Sequence, residues 1–173
     1  MKKIVSVLLV ILMCFTCVAC AGNKSDEETT VDPSLLNAPI LGVHIRNGDM
    51  AGFYALTKNG TYTWEVAYGN GETEQKIYDG IFCLDSENLC TFTREDAGES
   101  IELKFTGDVK SYKIYSAEKS ELDSENKSEI LDEKYLVSEN QSKITFPVSG
   151  EYYYVVDVKY AQGEVPYGFI LAE

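Results

Sequence analysis

The chain has 173 residues, 45% hydrophobic and 12% aromatic, enough to bury a core without a metal or a disulfide framework. Its formal net charge of -13 makes a surface that repels phosphate backbones and anionic headgroups, which argues against nucleic-acid binding. Twelve tyrosines against one tryptophan point to strands and half-buried surfaces more than to helices.

The start of the chain reads as an address. Lys2 and Lys3 form a positive head, and Ile4 to Val18 is apolar except for Ser6 and Thr16. As a helix that run covers about 22 Å, short of the roughly 30 Å hydrocarbon core, and no basic stop-transfer cluster follows. The pattern is an export signal, not a membrane span. Cys17-Val18-Ala19-Cys20 resembles the lipobox of bacterial lipoproteins, in which a small residue precedes the cysteine that receives the lipid. Val18 and Ala19 suit that pattern, whereas Cys17 stands where an aliphatic residue, usually leucine, is expected. The alternative is an ordinary secretory signal cut near Ala19 or Ala21. Residues 1–19 are thus expected to leave as a signal peptide, with Cys20 as the lipid anchor. Each buried CH₂ of an acyl chain contributes about 0.8 kcal/mol, so two or three palmitate-length chains hold a protein on a membrane for long periods. Residues 20–38, rich in Ser, Asp, Glu, Thr and Asn, are expected to be a flexible tether that keeps the body about 23 Å from its anchor on average.

Period-two alternation then recurs from residue 39 to the end. Tyr62, Trp64, Val66 and Tyr68 share a face opposite Thr61, Thr63, Glu65 and Ala67. Ile101, Leu103 and Phe105 alternate with Glu102 and Lys104. Ile144, Phe146 and Val148 repeat the pattern, as do Val165, Tyr167, Phe169 and Leu171. Turn signals separate these runs, among them Lys58-Asn59-Gly60, Gly69-Asn70-Gly71, Thr106-Gly107-Asp108 and Ser149-Gly150. Tyr152 to Val158 is apolar on both faces until Asp157, which suits a central strand. Glu118 to Glu133 breaks the alternation and reads as a long, exposed acidic connection carrying at most one turn of helix. Many short strands at this spacing predict a single all-β domain over 39–173, an antiparallel β-sandwich of Ig-like type.

Sets of residues that carry catalysis are not found. His44 is the only histidine and lies in a predicted first strand, so a zinc site built of histidines is excluded. No Gly-x-Ser-x-Gly elbow is present, and Gly69-Asn70-Gly71 lacks the lysine and following helix of a phosphate cradle. The acidic stretches do not match an Asp-x-Asp-x-Asp-Gly calcium loop. No metal, no cofactor and no catalytic residue is therefore predicted. Two carboxylates sharing a cleft are the one catalytic set the composition permits, and nothing in the sequence selects a pair. Cys83 and Cys90 flank Asp85-Ser86-Glu87-Asn88, a four-residue hairpin loop that would set the two cysteines opposite each other. Export permits oxidation, so a disulfide is favoured over two half-buried free thiols. Most tyrosines fall at inward strand positions, where packing explains them better than sugar stacking does.

The order of these signals carries a resemblance. Gly60-Thr61-Tyr62-Thr63-Trp64 is followed by Ile101 to Phe105, which leads into Ser111-Tyr112-Lys113-Ile114-Tyr115. Then come Ile144-Thr145-Phe146-Pro147, Gly150-Glu151-Tyr152-Tyr153-Tyr154 and Tyr167-Gly168-Phe169. The succession is similar to that of a small all-β domain in lipoproteins of Gram-positive gut bacteria. A comparable domain stands outside the membrane in sensor-type metallopeptidases. The likeness covers roughly residues 39 to 173. Where those relatives carry an Arg-Cys-Trp-like stretch, this chain has Lys113-Ile114-Tyr115, and it lacks a His-Glu-x-x-His helix, so no peptidase activity carries over. The resemblance implies a sandwich at the cell surface. The expected protein is a non-enzymatic binding or accessory module, held by its lipid on the outer face of the bacterial cytoplasmic membrane. Its partner is then a protein or cell-envelope ligand. An extracytoplasmic sensor or regulator of a membrane protein is the alternative, and a carboxylate-dependent hydrolase a more distant one.

Overall fold

Alternating side chains commit a segment to a strand, and the apolar face then needs a second layer to cover it. The computed structural model describes residues 37–47, 50–122 and 127–173. The signal segment, Cys20 and the tether up to residue 36 lie outside the described residues. In chain order the strands are β1 (Gly42–Asn47), β2 (Met50–Ala55), β3 (Thr57–Lys58), β4 (Tyr62–Ala67), β5 (Thr73–Tyr78), β6 (Cys90–Thr93) and β7 (Ser100–Lys104). They continue with β8 (Val109–Glu118), β9 (Leu136–Glu139), β10 (Lys143–Thr145), β11 (Tyr152–Tyr160) and β12 (Gly163–Ala172). A single α-helical turn among the described residues, α1 (Arg94–Ala97), is capped by Thr93, whose side chain accepts from the Asp96 amide.

Two sheets result. The smaller has the order β10-β7-β1-β2, and the larger runs β5-β4-β12-β11-β8-β9 with β3 and β6 also paired to β12. The inward residues of both meet in one core. Val43, Ile45, Ile101, Leu103 and Ile144 come from the small sheet, and Trp64, Val66, Val156, Val158, Tyr167 and Phe169 from the large one. Tyr154 stacks on Phe169 with ring centroids 4.7 Å apart, and Trp64 meets Tyr160 edge to face at 5.4 Å. The architecture is an all-β sandwich, as the alternation predicts; nothing in the strand order singles out the Ig-like version of it. One pairing departs from the antiparallel expectation: β6 runs parallel to β12, with Cys90 opposite Phe169. Buried Leu84 and Leu89 draw the preceding connection across the sheet, so it does not turn back on itself.

The larger sheet is covered on both faces. Behind it Tyr115, Ala117, Tyr153, Val155 and Ile170 form a second core with Leu84, Leu89 and Ile130. This explains the apolar double face of β11, and it corrects the reading of the acidic connection as exposed. That segment makes three short 3-10 turns (Lys119–Glu121, Lys127–Leu131 and Glu133–Tyr135), and Ile130 in the second of them is fully buried. Ile130 docks the segment, with Leu122 half-buried against the same cluster, while Glu121, Asp132 and Glu133 are exposed. Other expectations shift by a residue or two. Ala38 is already buried and its carbonyl accepts from Lys58 Nζ at 2.6 Å, so the body begins before residue 39. Val148 does not continue the face of Ile144 and Phe146: it is 98% exposed, because β10 ends at Thr145.

The expected hairpin between Cys83 and Cys90 does not form. Residues 81–84 are irregular, and Asp85 closes a turn by accepting from the Asn88 amide and side chain through Oδ1, at 3.0 and 2.7 Å. Cys90 instead opens β6. Both thiols are free and half-buried, and burial pushes both of them up from the usual cysteine range.

Candidate functional site

Because β-strand side chains alternate, the strands that send Val43, Leu103 and Ile144 inward must present their other residues on the outer face of the small sheet. The register lines up four of them across the sheet, Lys143 beside Glu102, Glu102 beside His44, and His44 beside Phe53. Lys104 adds a second ammonium, 2.8 Å from the Glu102 carboxylate. These side chains, with Ser100, line an open concavity of about 600 Å³. The lone histidine predicted to be a strand residue thus sits half-buried in the middle of a mixed row.

Phe53 forms one wall. The side chain is 59% exposed, yet its ring lies down over Gly42 on the neighbouring strand: a Cβ at position 42 would stand 2.0 Å from Phe53 Cζ. Only glycine lets the ring lie flat there. The Lys104 ammonium, by hydrogen bond and charge, holds the Glu102 carboxyl below its usual range, with His44 and Lys143 adding to the effect. Lys143 makes no salt bridge among the described residues. The face therefore combines one internally paired carboxylate, one spare ammonium, an imidazole and an aromatic platform.

A second polar cluster lies on the outward face of the large sheet, beyond its apolar cover. Asp157 on β11 is opposite Lys113 on β8, which in turn bridges Glu139 on β9 at 3.7 Å, while Glu164 reaches Asp157 from β12. Burial, followed by the hydrogen bond and charge of Glu164, pushes the Asp157 carboxyl up to about 7, against the opposing pull of Lys113. Among the described residues this is the carboxylate pair that the fold singles out, and sequence reasoning had no means to select it from 28 acidic residues. Beside it, at the β11–β12 turn, a hollow of about 480 Å³ is lined by Thr61, Tyr62, Gln75, Lys159 and Gln162, with Tyr62 stacked on Tyr78 at 4.9 Å. Most other tyrosines follow the packing expectation, and Tyr154, Tyr160 and Tyr167 are buried.

The raised Asp157 has a stability consequence. Its folded value lies above its unfolded value near 4, so the folded state binds the extra proton, and stability from this group is lost as pH rises from about 4 through about 7. Asp157→Asn is expected to flatten that decline and to stabilise the body by about 1–2 kcal/mol at pH 8, after discounting for solvent screening. Denaturant midpoints measured from pH 4 to 8 check this. Parallel wild-type and variant curves would remove the assignment.

Among the described residues no group of three His, Cys, Asp or Glu gathers that is suited to hold a metal ion. No family model matches the chain, and no curated protein matches it. Fold and site together define an all-β sandwich with a mixed-charge, aromatic-walled outer face.

Proposed function

We propose that this chain is a lipid-anchored extracytoplasmic lipoprotein that acts by binding, through the outer face of its small sheet, and not by turnover. The observation that carries the reading is the concavity on that face. A strand glycine lets an exposed phenylalanine ring lie flat in the same concavity as a spare lysine, an arrangement that the core does not need for its own packing.

The address is supported by the lipobox-like Cys17-Val18-Ala19-Cys20 and the polar stretch after it. Lipid on Cys20 would place the body within a few tens of ångströms of the outer face of the bacterial cytoplasmic membrane. The partner is then a cell-envelope ligand or a protein within that reach. Growing expressing cells with labelled palmitate tests the anchor. The wild-type chain is expected to take up label and to sediment with membranes, and Cys20→Ser to lose both. Unchanged labelling and fractionation in the variant would overturn the reading.

A further inference from the structure

We propose that the concavity of the small sheet takes an acidic oligosaccharide: one pyranose ring laid on Phe53, and the carboxylate of a unit further along held by Lys143 at the opposite edge of the sheet. This deepens the binding role given to that face above and rests on it.

Charge selects the sign of the ligand. In a chain of net charge -13, this face gathers Lys104, Lys143 and His44 around a single carboxylate. Glu102 is satisfied by Lys104 at 2.8 Å, so one ammonium, that of Lys143, remains for a ligand. Glu102 also stands between Lys143 and His44 in the cross-strand row, and it repels a second negative charge placed there. Carboxylates spaced one to a ring fit better than two negative charges placed together.

The aromatic wall selects the shape. The Phe53 ring is held down against the sheet by the absence of a side chain at Gly42 and offers an exposed flat surface. A flat apolar platform next to hydrogen-bonding side chains suits a sugar ring, whose axial C–H face is apolar and whose rim is polar. Around it Ser100, Glu102 and His44 supply donors and acceptors for hydroxyls. A ring-less polyanion would use the lysine but leave the platform idle, and a neutral glycan would do the opposite.

Titration calorimetry on the full-length chain in detergent micelles separates these cases with three probes. Oligogalacturonate carries both ring and carboxylate, maltohexaose the ring alone, and poly(glycerol phosphate) the charge alone. Oligogalacturonate is expected to bind at least about tenfold more tightly than either of the others, and more weakly as salt rises. Lys143→Gln and Phe53→Ala are each expected to weaken it by about tenfold. Gly42→Ala should weaken it too, because it lifts the ring without removing a group that touches the sugar. Lys143 and Phe53 are exposed and Gly42 is buried beneath the ring, and an unchanged thermal midpoint shows that the fold survives each change. Equal binding of maltohexaose or of poly(glycerol phosphate), or no binding of oligogalacturonate, overturns the acidic-sugar assignment. Retention on isolated envelopes of the expressing cells, measured with Cys20→Ser added to each protein so that no acyl chain holds it, keeps the underlying reading separate. Lost retention in Lys143→Gln and Phe53→Ala without oligogalacturonate binding leaves the face as a binding face for another ligand. Unchanged retention and unchanged calorimetry in both variants would sink the face itself.

Discussion

Ile130→Asp is expected to destabilise the body by about 3–5 kcal/mol, the largest effect of any single substitution in the acidic connection. Ile130 is fully buried in the second core, on a 3-10 turn that packs against β8, among a cluster that includes Tyr115, Ala117, Tyr153 and Val155. A carboxylate placed there has two outcomes, both unfavourable. It stays in the apolar layer and takes up a proton, or it leaves and strips the cover from β8 and β11. Ile130→Val, which keeps the shape and removes one methylene, should cost only about 1 kcal/mol. Urea midpoints report the difference, and limited proteolysis should cut the aspartate variant first between β8 and β9. An aspartate variant as stable as wild type, with no new cleavage, would mean that the segment is not docked through this residue.

The inter-sheet core answers to Trp64. Trp64→Ala should cost about 3–5 kcal/mol, the range for emptying a large aromatic site. The side chain is 1% exposed, packs edge to face on Tyr160, and stands opposite Gly163, where β4 meets β12. That contact is tight: a Cβ at Gly163 would lie 2.1 Å from the Thr63 carbonyl oxygen and 3.3 Å from the Trp64 ring. The glycine brings the two backbones together and the indole covers the junction, so Gly163 offers no side chain to fill the void left by alanine. Trp64→Phe should lose less than half as much. Because the chain has one tryptophan, unfolding of the variants is best followed by far-ultraviolet circular dichroism. A loss below about 1 kcal/mol in the alanine variant would show that the junction closes without the indole.

These two substitutions probe the two halves of the fold, and only one half was legible beforehand. The inward face of β12 could be read directly: Val165, Tyr167, Phe169 and Leu171 all have no exposed surface, because a period of two leaves a strand no choice about which residues share a side. Glycines marked the turns for an equally local reason, and Gly60, Gly71, Gly107 and Gly150 all adopt the positive φ that the turn signals demand. The double apolar character of Tyr152 to Val158 announced a central strand, but not the second layer that makes it central. That layer comes from Leu84, Leu89 and Ile130, apolar residues in short irregular stretches that carry no strand periodicity to betray them. Cys83 and Cys90 misled for the same reason: their spacing suits a hairpin, and the burial of the leucines between them outweighs it.

Alternation, composition and turn chemistry act over a few residues, and so length, charge, strand faces and the all-β class were already written in the order of amino acids. The row from Lys143 through Glu102 and His44 to Phe53 joins the β1–β2 hairpin to β7 and β10, elements remote from it in the chain. Their neighbourhood depends on strand order and register, which the packing of two whole sheets selects. The ring over Gly42 and the carboxyl pair of Asp157 and Glu164 each lie within one hairpin, but the register of that hairpin and the burial around the pair are set by the packing of the sheets.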